Sequence, residues 1–356
     1  MGRSDSVWSE QGTTPDAIAT ALRVLLAERH AESGSFAPAR VLNMIVFVDD
    51  AWSGEIANRL RGVGRYHASR LIVLSYEPRR QRLDARATIA ADEDPAPGQL
   101  ALLRETVILQ IGDRHLDDLL TIADPLVVTD MPTLLWSPHG HPDVVDTLLA
   151  LAQSVLLDSV DEPVWREAIG RACALTAQAY VVDLAWLRST PWRERVASTF
   201  DPMRMRPELA EITSASVRHH PASTVAAMLL LGWLASRLGW AVDPLHGEAD
   251  ALEGTAHSRH HDVALRLPAA PEQQVRGLQG VTLKTATGRQ LSLDRGPGGL
   301  HVHSRDARGD HSWLLPGASR GETGILGEGI RQSLLRDPTY APALQAAAAM
   351  CHDTPG

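Results

Sequence analysis

The sequence predicts an α/β N-terminal three-layer domain and an α+β C-terminal domain with an antiparallel meander, joined by a helical connector. Three observations carry this. Near-continuous apolar runs at 41–48, 70–76 and 133–136 alternate with segments of helical period, as parallel strands covered on both faces do. Beyond Asp243, short alternating runs are separated by turns such as Thr287-Gly288, the pattern of a meander. At 356 residues the chain also exceeds one typical domain.

Residues 1–13 are polar around an isolated Trp8 and are expected to be disordered. The N-terminal domain then spans 14–161. Thr14-Pro15 caps a first helix whose face is Ile18, Leu22, Leu25 and Leu26, ended by Ser33-Gly34-Ser35. Strand 41–48 leads into a helix from Ser53, and strand 70–76 follows. The stretches 83–89 and 104–111 alternate like half-exposed strands across a loop of Asp, Pro and Gly. A helix over 116–127 should kink or end at Pro125. Thr133 to Trp136, fenced by Pro132 and Pro138, is a buried parallel strand, and Pro142 opens a helix before a last strand near 155–157.

The connector, 162–200, carries Trp165, Ile169, Ala172, Cys173 and Thr176 on one helical face, then Trp186 and Trp192. The C-terminal domain, 201–340, has a strand over 208–218, an apolar helix from Pro221 to about Leu238, and strands at 262–267, 281–285, 289–294 and 300–305. A helix over 322–335 and a helical or disordered tail, 341–356, close the chain.

A net charge of -9 without a basic run argues against nucleic acid or an anionic membrane as partner. Lys284 is the sole lysine, which excludes Schiff-base chemistry and a phosphate-binding lysine elsewhere. Cys173 and Cys351 form neither a disulfide framework nor a four-thiolate zinc site. With no apolar leader and no run of membrane-spanning length, a soluble cytoplasmic protein is expected.

His139 and His141 leave the carboxyl end of strand 133–136, where open α/β sheets place a crevice, and Asp49-Asp50 follow another buried strand. That pair could hold a metal or a ribose, or merely cap the next helix. His301 and His303 share a strand face, but a metal site would need a third ligand such as His260, His261 or His311. Gly62-Val63-Gly64 follows a helix rather than a strand and fails as a dinucleotide fingerprint, and no nucleophile motif is present. Nine Trp against three Phe and four Tyr, with Trp136, Trp165, Trp186 and Trp192 close together in sequence, suit either a core or a partner interface.

Several stretches in order carry a family resemblance. They are 40–46 (Arg-Val-Leu-Asn-Met-Ile-Val) with 70–73 (Arg-Leu-Ile-Val), and Asp130-Met131-Pro132 leading to Leu135-Trp136-Ser137-Pro138. Asp183-Leu184-Ala185-Trp186 leading to Trp192-Arg193 follows, and then Gly232-Trp233-Leu234-Ala235-Ser236-Arg237. Over roughly 40–240 the chain resembles the OpcA-type glucose-6-phosphate dehydrogenase assembly proteins of actinobacteria and cyanobacteria. The resemblance implies a non-catalytic factor that binds glucose-6-phosphate dehydrogenase and promotes its active oligomer, with no catalytic residue, cofactor or metal to carry over. The expected contact residues are Asp130, Pro132, Trp136, His139, Asp183, Trp186, Trp192 and Arg193. The rival expectation is an enzyme or sensor binding a nucleotide or sugar phosphate beside Asp49, Asp50 and His139.

Overall fold

The computed structural model describes residues 5–32, 41–63, 69–91, 103–248, 251–316 and 321–351. Along the chain run β1 (Ser6–Glu10), α1 (Pro15–Glu32), β2 (Leu42–Asp49), α2 (Asp50–Val63), β3 (Ser69–Tyr76), β4 (Asp84–Ala91), β5 (Leu103–Ile111), α3 (Leu119–Ala123), β6 (Thr133–Trp136), α4 (Pro142–Leu148) and β7 (Ser154–Leu157). Then come α5 (Trp165–Thr176), β8 (Tyr180–Asp183), α6 (Leu184–Arg188), α7 (Thr190–Phe200), β9 (Ile212–His219) and α8 (Thr224–Leu238). Short β10 (Ala241–Val242) and β11 (His246–Glu248) precede β12 (Ala251–His257), β13 (Asp262–Pro268), β14 (Leu278–Thr285), β15 (Gln290–Gly296), β16 (Gly299–Asp306) and β17 (Gly309–Pro316). The chain closes with α9 (Gly321–Leu335) and α10 (Tyr340–Ala349).

Two units divide these elements. The first takes Met1–Leu157, Gln178–Val182 and Gly321–Arg336. Its sheet has the order β1-β4-β5-β3-β2-β6-β7-β8, and the central strands β5, β3, β2, β6 and β7 run parallel. From β5 to β8 this is the strand order of a doubly wound, dinucleotide-binding sheet, with the reversal between β2 and β6. β2 is buried at every position but its last and β6 throughout, because helices cover both faces there. α2 packs on β2, β3 and α9, and α9 on β7, while α1, α3 and α4 form the other group.

Buried polar side chains hold the approach to β6. Asn43 donates from Nδ2 to the Val128 carbonyl at 3.0 Å and accepts from the Val128 amide at 2.9 Å. Arg70 pairs with the buried Glu105 at 2.6 Å and donates to the Leu126 carbonyl at 3.0 Å. These residues lie in the apolar strands β2, β3 and β5, so the sheet itself fixes the segment that precedes β6.

The second unit takes Asp158–Ala177, Asp183–Arg320 and Asp337–Gly356. Its sheet runs β10-β12-β13-β9-β14-β15-β16-β17, with β11 beside β12 and only the β9–β13 pair parallel among the paired strands. α8 lies against β9 and β13 and is backed by α5 and α10. At Gly232 the helices touch: a Cβ there would stand 2.1 Å from the Ala343 carbonyl oxygen. No side chain fits that gap.

Several expectations are corrected. The extension 1–13 is not wholly disordered, because Ser6–Glu10 pairs antiparallel with β4 and satisfies its backbone there. The helix after β2 begins at Asp50, whose carbonyl accepts from Ser53 Oγ at 2.8 Å. Only Leu119–Ala123 of the expected 116–127 helix is α-helical, and a 3-10 turn, Asp124–Leu126, carries Pro125. The strand expected from Glu208 starts at Ile212 after a 3-10 turn. The connector is not purely helical: β8 joins the first unit's sheet, while α5, α6 and α7 pack with the second. α9 falls in the first unit rather than with 201–340; of the two states expected for the tail, the helical one forms, as α10 on α8. Contrary to expectation, Pro221–Leu238 has the length and hydropathy of a membrane span, but its side chains are mostly buried against the sheet and neighbouring helices. Ser33-Gly34-Ser35, Gly64 and the loop 92–102 lie outside the described residues.

Candidate functional site

The carboxyl ends of β2, β3 and β6 gather a cluster of aromatic, imidazole and carboxylate groups in the first unit. His141, at the start of α4, donates from Nε2 to Asp49 Oδ1 at 3.0 Å. Its ring stands edge-on to Phe47, centroids 4.8 Å apart, and to Tyr76 at 5.8 Å. Reaching that position puts His141 in the left-handed region, φ 58°, with Pro142 fixing the first helical turn behind it. The Tyr76 hydroxyl donates to Asp113, and that hydrogen bond, reinforced by burial and by the Asp113 and Asp49 charges, pushes the phenol up to about 12. Gly112 before Asp113 is obligatory, since a Cβ there would sit 2.2 Å from the Arg80 carbonyl oxygen.

On the opposite face of the sheet, Asp50 accepts from Ser75 Oγ at 2.7 Å. Asp50 and Ser75 border a concavity of about 890 Å³ whose floor includes Arg86, Thr106 and Ile108. Trp52, in the first turn of α2, is half exposed and lies 5.4 Å, centroid to centroid, from the exposed ring of His139.

The contact residues expected from sequence separate into two sets. Asp130, Pro132 and His139 are exposed, and Asp130 takes a left-handed φ of 68°. Trp136, Asp183, Trp186, Trp192 and Arg193 are buried, which corrects their assignment as contact residues. A side chain closed off from solvent cannot meet a partner without unfolding its surroundings. Trp136 fills the end of β6. The others build the second unit's interior: Trp186 donates from its indole to Asp337 at 2.8 Å, and the Arg193 guanidinium lies over its ring. Asp183 accepts from the Ser159 and Ala185 amides at 3.2 and 2.9 Å and from the Tyr340 hydroxyl at 3.2 Å. Sequence reasoning missed Trp52, Tyr76, Asp113 and the Asp49–His141 contact; an aromatic separated by one residue from the acidic pair Asp49-Asp50 was the one available signal.

The histidine alternatives do not converge. His261 Nε2 donates to the Ile212 carbonyl and His301 Nε2 to the Pro297 carbonyl, and among the described residues no group of three His, Cys, Asp or Glu could hold a metal. Burial pushes the Cys173 thiol up and Cys351 up to about 11, so neither is primed as a thiolate.

Fold and site together define a protein with a doubly wound α/β unit and a second unit built on a mainly antiparallel sheet. Family models described as the N-terminal and C-terminal domains of a glucose-6-phosphate dehydrogenase subunit match residues 61–173 and 179–344, and the chain belongs to this OpcA family. Curated relatives carry the description "Putative OxPP cycle protein OpcA". One from Synechocystis is 29% identical over 119 residues, 32% of this chain and 25% of the relative. One from Nostoc punctiforme is 30% identical over 120 residues, 32% of this chain and 26% of the relative. The matched stretch thus spans about a quarter of these relatives' length.

Among solved structures, KijD10, a 3-ketoreductase from Actinomadura kijaniata in complex with NADP and TDP-benzene, superposes with a TM-score of 0.51 at 14% identity, covering 88% of this chain and 96% of that one. A mutant of the same enzyme gives 0.50 at 13%, covering 87% and 96%. At such identity the likeness is one of fold.

That fold raises the question of a dinucleotide, and the residues present do not fit one. A dinucleotide sheet turns after its first strand through glycines that let the pyrophosphate reach a helix N-terminus. Here β2 passes directly into α2 through Asp49-Asp50-Ala51-Trp52-Ser53, and Gly54 already lies inside the helix. In place of the glycines, Asp49 and Asp50 stand at the junction of β2 and α2, and negative charge at that helix start disfavours a phosphate.

Proposed function

We propose that this protein is a non-catalytic assembly and activation factor that binds glucose-6-phosphate dehydrogenase and promotes its active oligomer in the oxidative pentose phosphate pathway. The observation that carries the reading is the match of both halves of the chain to the subunit family. The carboxylates at the head of α2 support it, because they disfavour the cofactor chemistry the fold otherwise serves. They equally disfavour the rival reading, an enzyme or sensor for a nucleotide or sugar phosphate beside Asp49, Asp50 and His139.

The contact surface proposed is the exposed Trp52–His139 pair with Asp130 and Pro132. Trp52 supplies a large apolar area with one donor, the composition of an interface anchor. Such a factor works by binding the competent state of the enzyme more tightly than the alternative, and a tenfold shift needs about 1.4 kcal/mol of difference.

The test is titration of the same organism's glucose-6-phosphate dehydrogenase with this protein, following activity and sedimentation. A saturable rise in activity with a larger co-sedimenting species is expected; unchanged activity and size refute the proposal. With the role established, Trp52→Ala should weaken the complex by about 2 kcal/mol while leaving the fold intact. Unchanged affinity of a folded Trp52→Ala protein would move the contact elsewhere.

A further inference from the structure

The last strand of the second sheet ends in an edge that lacks the usual protection. β17 closes the nine-stranded order, and among the described residues no strand pairs with its outer side. All of it is exposed except the half-buried Leu315, with Trp313 40% and Leu314 48% accessible. Natural edges are blunted by lysine, interior proline or a bulge. β17 has neither lysine nor interior proline, and its pairing with β16 runs unbroken from Gly309 to Pro316. Its carboxylate, Asp310, is already neutralised by Arg305 within the same hairpin, at 2.7 and 2.9 Å.

We infer that β17 is the seam of a twofold homodimer in which two copies pair antiparallel about Trp313, joining their sheets edge to edge. The register follows from side-chain parity. With the twofold axis perpendicular to the sheet, residues facing each other must share a face, so their numbers differ by an even amount. Centring on Trp313 sets it against its own copy, Ser312 against Leu314, His311 against Leu315 and Asp310 against Pro316. Trp313 lies opposite the buried Val302 on β16, so this register carries the apolar row of Leu293 and Val302 across the seam. Centring on Ser312 would instead set Leu314 against Asp310, and centring on Leu314 would shorten the overlap. The Trp313 register opposes no like charges.

The experiment uses the full chain. Sedimentation across a wide concentration range should show a reversible dimer, and Trp313→Lys should weaken it by about tenfold or more while leaving the melting temperature of dilute, monomeric protein unchanged. Opposed positions place Cβ atoms roughly 4.5–5.5 Å apart. Trp313→Cys should therefore cross-link under mild oxidation beyond the parent's background, while His311→Cys, on the same face but four residues off register from its copy, should not. A chain that stays monomeric, a dimer indifferent to Trp313→Lys, or equal cross-linking from His311→Cys overturns the proposal. So does a monomeric chain whose binding to the dehydrogenase fails in Trp313→Lys, which would give this edge to a different protein.

Discussion

The guanidinium carbon of Arg193 lies 3.3 Å from the centroid of the Trp186 ring, and the indole N–H beneath it donates to Asp337. Arg193 also donates to the Trp186 carbonyl at 3.1 Å and to Thr190 Oγ1 at 2.8 Å, which ties α6 to α7. Burial pulls its acidity to about 10, against the Asp337 and Glu194 charges that hold the proton on. Arg193→Ala should lower stability by about 3 kcal/mol, because it removes the stacked cation and leaves the Asp337 carboxylate under-compensated. Urea unfolding of the two proteins measures this, and a loss below about 1 kcal/mol would show that the stack is incidental.

Asp183 supplies the pH dependence. Burial pushes its carboxyl up to about 6, against the hydrogen bonds from Ser159 and Ala185. A folded-state value above the ordinary 3.8 means that ionisation opposes the fold. Its contribution is complete below about pH 4 and is lost as pH rises through about 6, on the order of 3 kcal/mol in all. Asp183→Asn keeps the shape and cannot ionise. The variant should therefore gain on the parent between pH 4 and 6, and the difference should stay level above that. Parallel pH profiles of the two would contradict this.

Asn43 is expected to govern the loop before β6. Asn43→Ala leaves the part-buried Val128 amide and carbonyl without their side-chain partner and should cost about 1–2 kcal/mol. Amide exchange should rise around 128–131 more than in β3. Uniform exchange changes would mean that the loop is held by other contacts.

Gly232 is set by the approach of α10. Gly232→Ala must push a backbone carbonyl aside, so it should destabilise by about 2 kcal/mol despite alanine's better helix propensity. A neutral or raised melting temperature would show that α10 moves freely on α8.

Much of the first sheet was legible in the sequence because its strands are covered on both faces. Thr133–Trp136 is bounded as its flanking prolines require, and β2 and β3 lie within a residue or so of their apolar runs. β1, β8 and β17 were not legible. Each is short or half-exposed and owes its conformation to a neighbour's hydrogen bonds rather than to its own pattern. β1, for instance, pairs with residues 85–89, far along the chain.

The candidate site divides in the same way. The sequence by itself determined the absence of a glycine turn after β2, the acidic pair in its place and the strand-end position of His139, since these depend only on residue identity and local period. Tertiary structure alone decided that Trp186 and Trp192 face inward while Trp52 faces out, and that His141 meets Asp49 across 92 residues. Tryptophan suits a core and an interface equally, because one ring combines a large apolar surface with a single donor. Only packing against particular neighbours resolves that choice.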